Sequence, residues 1–367
     1  MVFCMRFWPS SDAQETQSGE NYVTAHSHFD QGPPGAASTS RSVDYISSGV
    51  PNLNGRSTTL REFKLAELNE ATKNFDQSTK IGQGGFGSVH LGVIKGSEPP
   101  FDYIQVAVKR GKNDPNVPRQ WQTEVDCLGK IQHPNLVKLI GYCYEQHGNE
   151  SHRLLVYEYM ANGSLDHHLS GKSKQHISWP VRLNIARDAA ICLKYLHEGM
   201  RDNQIIFRDF KPSNVLLDEN WNAKLSDCGF VREGPQEGRS HVSTLVVGTT
   251  GFAAPEYIQT GRLTYKIDVW SYGIFLQQLI TGRPPAVQKN SEIKSKCTGW
   301  VCCCTCAGKP NTTVDPKLGN EYSERSMQKI SFVAEKCLVR DPNLRPTMSE
   351  VLVMVTEAIA LQTQQPL

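Results

Sequence analysis

Between Gln204 and Asp218 the chain reads Gln-Ile-Ile-Phe-Arg-Asp-Phe-Lys-Pro-Ser-Asn-Val-Leu-Leu-Asp. A carboxylate, Asp209, is followed two residues on by Lys211 and five residues on by the carboxamide of Asn214. These side-chain types fit three tasks of phosphoryl transfer: accepting or orienting a hydroxyl proton, neutralising the transferred phosphate, and holding a metal ion. One apolar run leads in (Ile205, Ile206, Phe207) and another leads out (Val215, Leu216, Leu217). Two strands flanking a polar loop would aim the three groups at a shared cleft. The plainer alternative is a polar surface loop between two strands. Against it stands a set of further groups that the same chemistry needs, in a fixed order along the chain.

The first of these is Ile81-Gly-Gln-Gly-Gly-Phe-Gly-Ser-Val89. A lone Gly-x-Gly-x-x-Gly also occurs in dinucleotide folds, where a helix opens directly after the last glycine. Here Ser88-Val-His-Leu-Gly-Val93 continues as a strand, so the glycines form a hairpin tip. Gly82, Gly84 and Gly87 carry no side chain, which lets backbone amides approach triphosphate oxygens. Val106-Ala-Val-Lys109 then supplies a strand that ends in a lysine. Ser226-Asp-Cys-Gly229 supplies another carboxylate, and Ala254-Pro-Glu256 follows it.

Several elements must position these groups. Leu65, Leu68, Thr72 and Phe75 recur at helical spacing and predict a short helix that docks on the first lobe. Trp121, Val125, Leu128 and Ile131 form an apolar stripe after the helix-starting region at Pro118. Glu124 neighbours that stripe and can reach inward to Lys109. Leu154 to Tyr159 reads as an apolar strand broken at Asn162-Gly163. A further helix starts at Ser178 ahead of Pro180, carries the stripe Val181, Ile185, Ala189, Cys192 and Leu196, and ends at Gly199. It is read as core. His133 is read as a turn histidine, because no second ligand lies near it.

The ordered set resembles the eukaryotic protein kinases. Phe63, Leu68, Ala71, Thr72 and Phe75 ahead of the domain, Leu155-Val-Tyr-Glu-Tyr-Met160, Asn162-Gly-Ser-Leu165 and Gly248-Thr249 look like the plant receptor-like kinases. Phe207-Arg-Asp-Phe-Lys211 looks like their receptor-like cytoplasmic subgroup. The resemblance implies an α+β, bilobal fold over residues 61–358, with a small β-rich N-lobe and a larger helical C-lobe. ATP and Mg²⁺, with Mn²⁺ as an alternative ion, would lie between the lobes. It implies a serine/threonine kinase in which Asp209 orients and deprotonates the substrate hydroxyl, Lys211 offsets phosphoryl charge, and Asn214 and Asp227 hold metal. Lys109, paired with Glu124, would clamp the phosphates. The nucleotide would contact Ile81, Gly82, Gly84, Gly87, Val89 and Ala107. Tyr157 would stand at the back of the adenine pocket, with Glu158 and Met160 in the hinge. Asp268 would hold the catalytic-loop backbone, and Arg345 would be the buried partner of Glu256. Arg208 would receive a phosphate from the hydroxyl-rich segment holding Ser240, Ser243, Thr244, Thr249 and Thr250. Protein substrates and upstream receptor kinases are the implied partners, and plant defence or development the implied context.

Two features depart from this pattern. Cys228 replaces the aromatic residue usual after the metal-binding aspartate. A thiol there underfills the stack Leu128, Leu139, Phe207 and Cys228, so Cys228→Phe is expected to raise activity and stability. The second departure is Cys297-Thr-Gly-Trp-Val-Cys-Cys-Cys-Thr-Cys306, which lacks the paired spacing of structural zinc sites. A locally altered helix fits that segment better. Both departures leave open an alternative of another class, a catalytically weak pseudokinase or scaffold.

The chain has 367 residues and a formal charge of +2. So small a charge, spread along the sequence, argues against a nucleic-acid binder. No apolar run approaches the roughly 20 residues that span a bilayer. A cytoplasmic location follows, in which the 11 cysteines are read as thiols. Residues 1–60 are rich in Ser, Thr and Gly and are read as a disordered tail, and 359–367 as a short C-terminal tail. Cys4, among Phe3, Phe7 and Trp8, suits S-acylation and peripheral attachment to the plasma membrane.

Overall fold

The computed structural model describes residues 60–84, 87–96, 102–112, 117–148, 150–199, 204–236, 238–285 and 314–363. Cys4, most of the expected tail and the cluster Cys297 to Cys306 lie outside the described residues.

The first part of the chain builds a six-stranded sheet in the order β1-β5-β6-β4-β3-β2. Its strands are β1 (Arg61–Glu62), β2 (Lys80–Gly84), β3 (Gly87–Lys95), β4 (Tyr103–Gly111), β5 (Leu139–His147) and β6 (Glu150–Glu158). The short β1 pairs parallel with β5, and every other pairing in this sheet is antiparallel. Period-two alternation along β4 gives the sheet two working faces. Val106 and Val108 are buried with Phe63, Leu68, Cys143, Leu154 and Val156, under helix α1 (Leu65–Ala71). Ala107 and Lys109 point the opposite way, into the cleft.

Helix α2 (Val117–Leu128) packs its stripe of Trp121, Val125 and Leu128 into the main core. Ile131 extends that stripe past the end of the helix and is also buried. The rest of the chain is mainly helical: α3 (Leu165–Leu169), α4 (Trp179–Glu198), α5 (Pro255–Thr260), α6 (Lys266–Thr281), α7 (Glu324–Cys337) and α8 (Met348–Thr363). Short strands β7 (Ile205–Ile206), β8 (Val215–Leu217), β9 (Ala223–Leu225) and β10 (Arg232–Glu233) frame the polar loops between α4 and α5. The result is a β-rich N-lobe and a helical C-lobe, as the motif order implies.

Two local expectations, the cap at Ser178 and the end of the last helix, need correction. Ser178 takes the N-cap position of α4, but its hydroxyl accepts no helix N–H. Gly199 ends α4 as expected, at φ −83° and so in right-handed conformation. Helix α8 runs through residue 358 to Thr363, because Val351, Val355 and Ala358 keep one face buried along its length. No helix among the described residues is long and apolar enough to cross a membrane.

Candidate active site

The loop between β7 and β8 is held from below. Asp268, fully buried near the start of α6, accepts the Phe207 N–H at 2.7 Å and the Arg208 N–H at 2.8 Å. It also contacts His197 Nε2 at 2.8 Å. Arg208 is thereby kept at φ +73°, a conformation that costs a non-glycine residue energy and persists only when its surroundings over-determine it. The next residue, Asp209, is aimed into the site and is only 2% exposed.

Three polar groups converge on Asp209. Lys211 Nζ lies 3.3 Å from Oδ2. The Asn214 amide donates to the Asp209 carbonyl at 2.9 Å and more weakly to Oδ2 at 3.4 Å. The Thr249 hydroxyl donates to Oδ1 at 2.6 Å and accepts from Lys211 Nζ at 2.7 Å. Burial, the largest influence, raises the Asp209 carboxyl above the ordinary aspartate value, while Lys211 and Thr249 pull it back.

A second cluster stands on the N-lobe side. Lys109 Nζ binds Glu124 Oε1 at 2.7 Å and Asp227 Oδ1 at 2.8 Å, joining β4, α2 and the turn after β9. Tyr157 completes the arrangement by donating its hydroxyl to Glu124 Oε2. Burial opposes the charged form of Lys109, but the Asp227 and Glu124 carboxylates outweigh it and raise its pKa above the ordinary lysine value. Asp227 itself has φ +64°, which turns its carboxylate toward Lys109.

Between the clusters lies a cleft of about 320 Å³. Every predicted nucleotide contact lines it: Ile81, Gly82, Gly84, Gly87, Val89, Ala107, Lys109, Tyr157, Glu158 and Met160. Lys211, Asn214 and Asp227 line it too, while Asp209 sits just behind Lys211 and Asn214. Of Gly82, Gly84 and Gly87, only Gly87 is sterically required: at φ +156°, a Cβ there would come within 1.9 Å of the Arg110 carbonyl oxygen. Gly82 and Gly84 would tolerate a Cβ, so their openness matters only to what enters the cleft.

Glu158 turns its side chain away from the cleft, accepting the Lys138 N–H at 2.7 Å and pairing with Lys224 at 2.7 Å. Its own N–H is committed to the Lys138 carbonyl, so its C=O is the group left for a ligand edge. The donor set suits a hard divalent cation: a carboxylate from Asp227 and an amide oxygen from Asn214, whose nitrogen is already engaged by Asp209. Among the described residues, no cluster of three His, Cys, Asp or Glu suggests a different metal centre. His133 is a turn histidine as expected, accepting the Asn135 N–H at 3.1 Å through Nδ1 and stacking on Tyr195.

Some site residues escape sequence reasoning. Leu216 on β8 lines the cleft floor; the alternation of β8 against its buried neighbours Val215 and Leu217 was the available signal. Thr249 is read in the sequence as part of the Gly248-Thr249 string and as one of several hydroxyls, without its contact to Asp209. Cys127 on α2 packs against the same cluster as Cys228 and so shares the space that the usual aromatic would fill. Cys127, the largest cause, and burial together raise the Cys228 pKa well above the ordinary thiol value.

Comparison with known proteins agrees with this geometry. The protein kinase domain profile matches residues 75–355. Serine/threonine-protein kinase PCRK2 of Arabidopsis thaliana is 47% identical over 373 residues, covering 97% of this chain and 87% of the relative. Serine/threonine-protein kinase PCRK1 of the same plant is 48% identical over 351 residues, covering 95% and 82%. The EPD1-interacting receptor-like cytoplasmic serine/threonine-protein kinase of Nicotiana benthamiana is 45% identical over 312 residues, covering 84% and 66%.

Proposed function

The chain belongs to the protein kinase family, within its receptor-like cytoplasmic serine/threonine kinases, and from that premise we propose how its residues carry out ATP-dependent phosphoryl transfer. The observation that carries the assignment is Lys109 bridging Glu124 and Asp227, directly across the cleft from the Asp209, Lys211 and Asn214 group. Asp209 accepts the proton of a substrate serine or threonine hydroxyl as its oxygen attacks the γ-phosphorus. The bond from that phosphorus to the bridging oxygen breaks, and ADP leaves. Lys211 offsets charge on the transferred group. Lys109, fixed by Glu124, holds the phosphates, and the amides around Gly82, Gly84 and Gly87 cover them. The Glu158 carbonyl and the Met160 N–H meet the adenine edge, with Tyr157 behind it. Asn214 and Asp227 would hold Mg²⁺, which would supply charge neutralisation to the phosphates.

Asp209→Ala should abolish incorporation of radiolabelled phosphate while nucleotide binding persists, because only the hydroxyl-orienting group is lost. Equal incorporation by both proteins would overturn the assignment. Cys228 does not remove a metal ligand, so it weighs on positioning and not on the chemistry itself.

The finer context is also a proposal. The N. benthamiana relative is named for an interaction and as receptor-like, which supports upstream receptor kinases as partners in plant signalling. Cys4, beside aromatic residues, supports a cytoplasmic protein attached peripherally to the plasma membrane by acylation. A Cys4→Ser variant should then move from the membrane to the soluble fraction, and an unchanged partition would exclude this anchor.

A further inference from the structure

Two thiols flank the pair of carboxylates that share Lys109. Cys127 stands three residues after Glu124 on α2, and Cys228 directly follows Asp227. Gln120, Glu124 and Cys127 recur at i, i+4 and i+7, so they occupy one face of the helix. That face meets the turn after Asp227. A Cβ on Gly229 would lie 3.3 Å from Gln120 Cβ and 3.4 Å from Glu124 Oε1. One helical turn further along, the same face packs Cys127 against the core that holds Cys228, where it is the neighbour that most raises the Cys228 pKa. Cys228 is fully buried, whereas Cys127 is half-buried against the same core. A third thiol, Cys192 on α4, interacts with both only at longer range. Among the described residues, no three such groups converge to hold a metal ion, which leaves two-thiol chemistry.

We propose that Cys127 and Cys228 form a dithiol modification site, oxidised by a hydroperoxide to an intramolecular disulfide that ties helix α2 to the Asp227 turn. Cys127 is the half-buried member and meets the oxidant first. Its sulfur attacks one peroxide oxygen, an S–O bond forms, the O–O bond breaks, and the leaving hydroxide departs as water with the thiol proton. The Cys228 sulfur then attacks the Cys127 sulfenic acid. The S–S bond forms, the S–O bond breaks, and the second hydroxide leaves as water with the Cys228 proton. Two thiols have lost two protons and two electrons, and one hydrogen peroxide has become two waters. Closure to an S–S bond of about 2.05 Å draws α2 onto the turn, and a dithiol reductant reverses it.

The inference does not depend on the kinase mechanism, because its test reads mass and melting temperature and not phosphate transfer. Full-length protein is reduced, exposed to hydrogen peroxide, alkylated and digested with trypsin. Residues 120–130 and 225–232 form separate tryptic peptides with one cysteine each. The expected result is these two peptides joined, released by dithiothreitol, together with a melting temperature several degrees above that of the reduced protein. Cys127→Ser and Cys228→Ser should each lose the joined peptides and the part of the shift due to this bond, while oxidation at other cysteines continues. The peptide map of the unmutated protein decides the matter even if a variant folds poorly. Cys127 joined to Cys192 or to another cysteine, Cys127 driven to sulfinic acid with Cys228 still a thiol, or both thiols untouched when others oxidise would each overturn the proposal.

Discussion

Thr249 donates its hydroxyl hydrogen to Asp209 Oδ1 across 2.6 Å, although 40 residues separate the two in sequence. The Thr249 hydroxyl oxygen in turn accepts from Lys211 Nζ at 2.7 Å, so one hydroxyl sets both the proposed base and the proposed phosphate-neutralising lysine. Removing it should leave Asp209 and Lys211 free to pair in geometries that do not serve a substrate hydroxyl. Thr249→Ala is expected to lower kcat about tenfold, which corresponds to about 1.4 kcal/mol, the scale of one hydrogen bond to a charged group. Nucleotide affinity should change little, and Thr249→Ser should retain most of the activity. Steady-state kinetics on the two variants check this; an alanine variant with unchanged kcat would refute the role.

The pH dependence follows from the same carboxylate. Burial raises the Asp209 pKa above the ordinary value, and transfer needs the ionised form. The acid limb of kcat/KM should therefore lie at higher pH than an ordinary aspartate would give. The Thr249 hydrogen bond favours the charged form, so Thr249→Ala should move that limb further up. The folded state also holds the Asp209 proton more tightly than the unfolded chain does. Its contribution to stability is thus greatest below the ordinary aspartate pKa and is lost as pH rises through the raised folded value. A pH profile whose acid limb stays in place in the alanine variant would contradict this account.

The cleft could be read from the chain because its groups sit in short local strings. Ile81 to Val89, Val106 to Lys109 and Leu155 to Met160 each form one strand or hairpin edge, and alternation alone decides which residues face inward. Glu124 was accessible for a similar reason, since it neighbours an apolar stripe whose period is helical. Contacts between distant loops leave no such trace. Gly248-Thr249 carries the family resemblance but not the contact of Thr249 with Asp209; its place is set by Gly248 at φ +130°, where a Cβ would stand 3.0 Å from the Arg208 carbonyl oxygen. The meeting of Cys127 with Cys228 is equally invisible in sequence, because it depends on how α2 lies against the Asp227 turn.

The hydroxyl-rich segment offers a more specific phosphorylation site than its composition did. Arg232 donates to the Thr244 hydroxyl at 2.7 Å, and Arg208 is bonded to the Tyr257 hydroxyl and to the Leu245 carbonyl. Burial lowers the Arg232 pKa first, and the neighbouring cations Arg208 and Arg119 lower it further. Among the described residues no carboxylate forms an ion pair with Arg208 or Arg232, so a phosphate on Thr244 would supply the missing anion. Phosphopeptide mapping of active protein should find Thr244 modified. Thr244→Ala should lower activity several-fold, and phosphatase treatment should reproduce the loss. Full activity with an unmodified Thr244 would remove this site from consideration.

Cys228 is where the packing and the family pattern disagree. Judged against the usual aromatic, a thiol should leave a gap between α2 and the catalytic loop, and Cys228→Phe should then stabilise. The structure packs Cys127 against the cluster that holds Cys228, Leu128, Leu139 and Phe207, and Cys228 itself is only 1% exposed. A phenyl ring therefore enters occupied space. Overfilling a packed core costs about 1–3 kcal/mol through off-rotamer side chains and small backbone shifts. Cys228→Phe alone is expected to lower the melting temperature. Pairing it with Cys127→Ala removes the side chain in the way and should recover the loss. The two sites touch, so their effects should be non-additive, and a double-mutant cycle measures that coupling directly. A single Cys228→Phe variant that melts higher than the parent would show that room for the ring exists beside Cys127, and strictly additive effects would show that the two cysteines do not share one space.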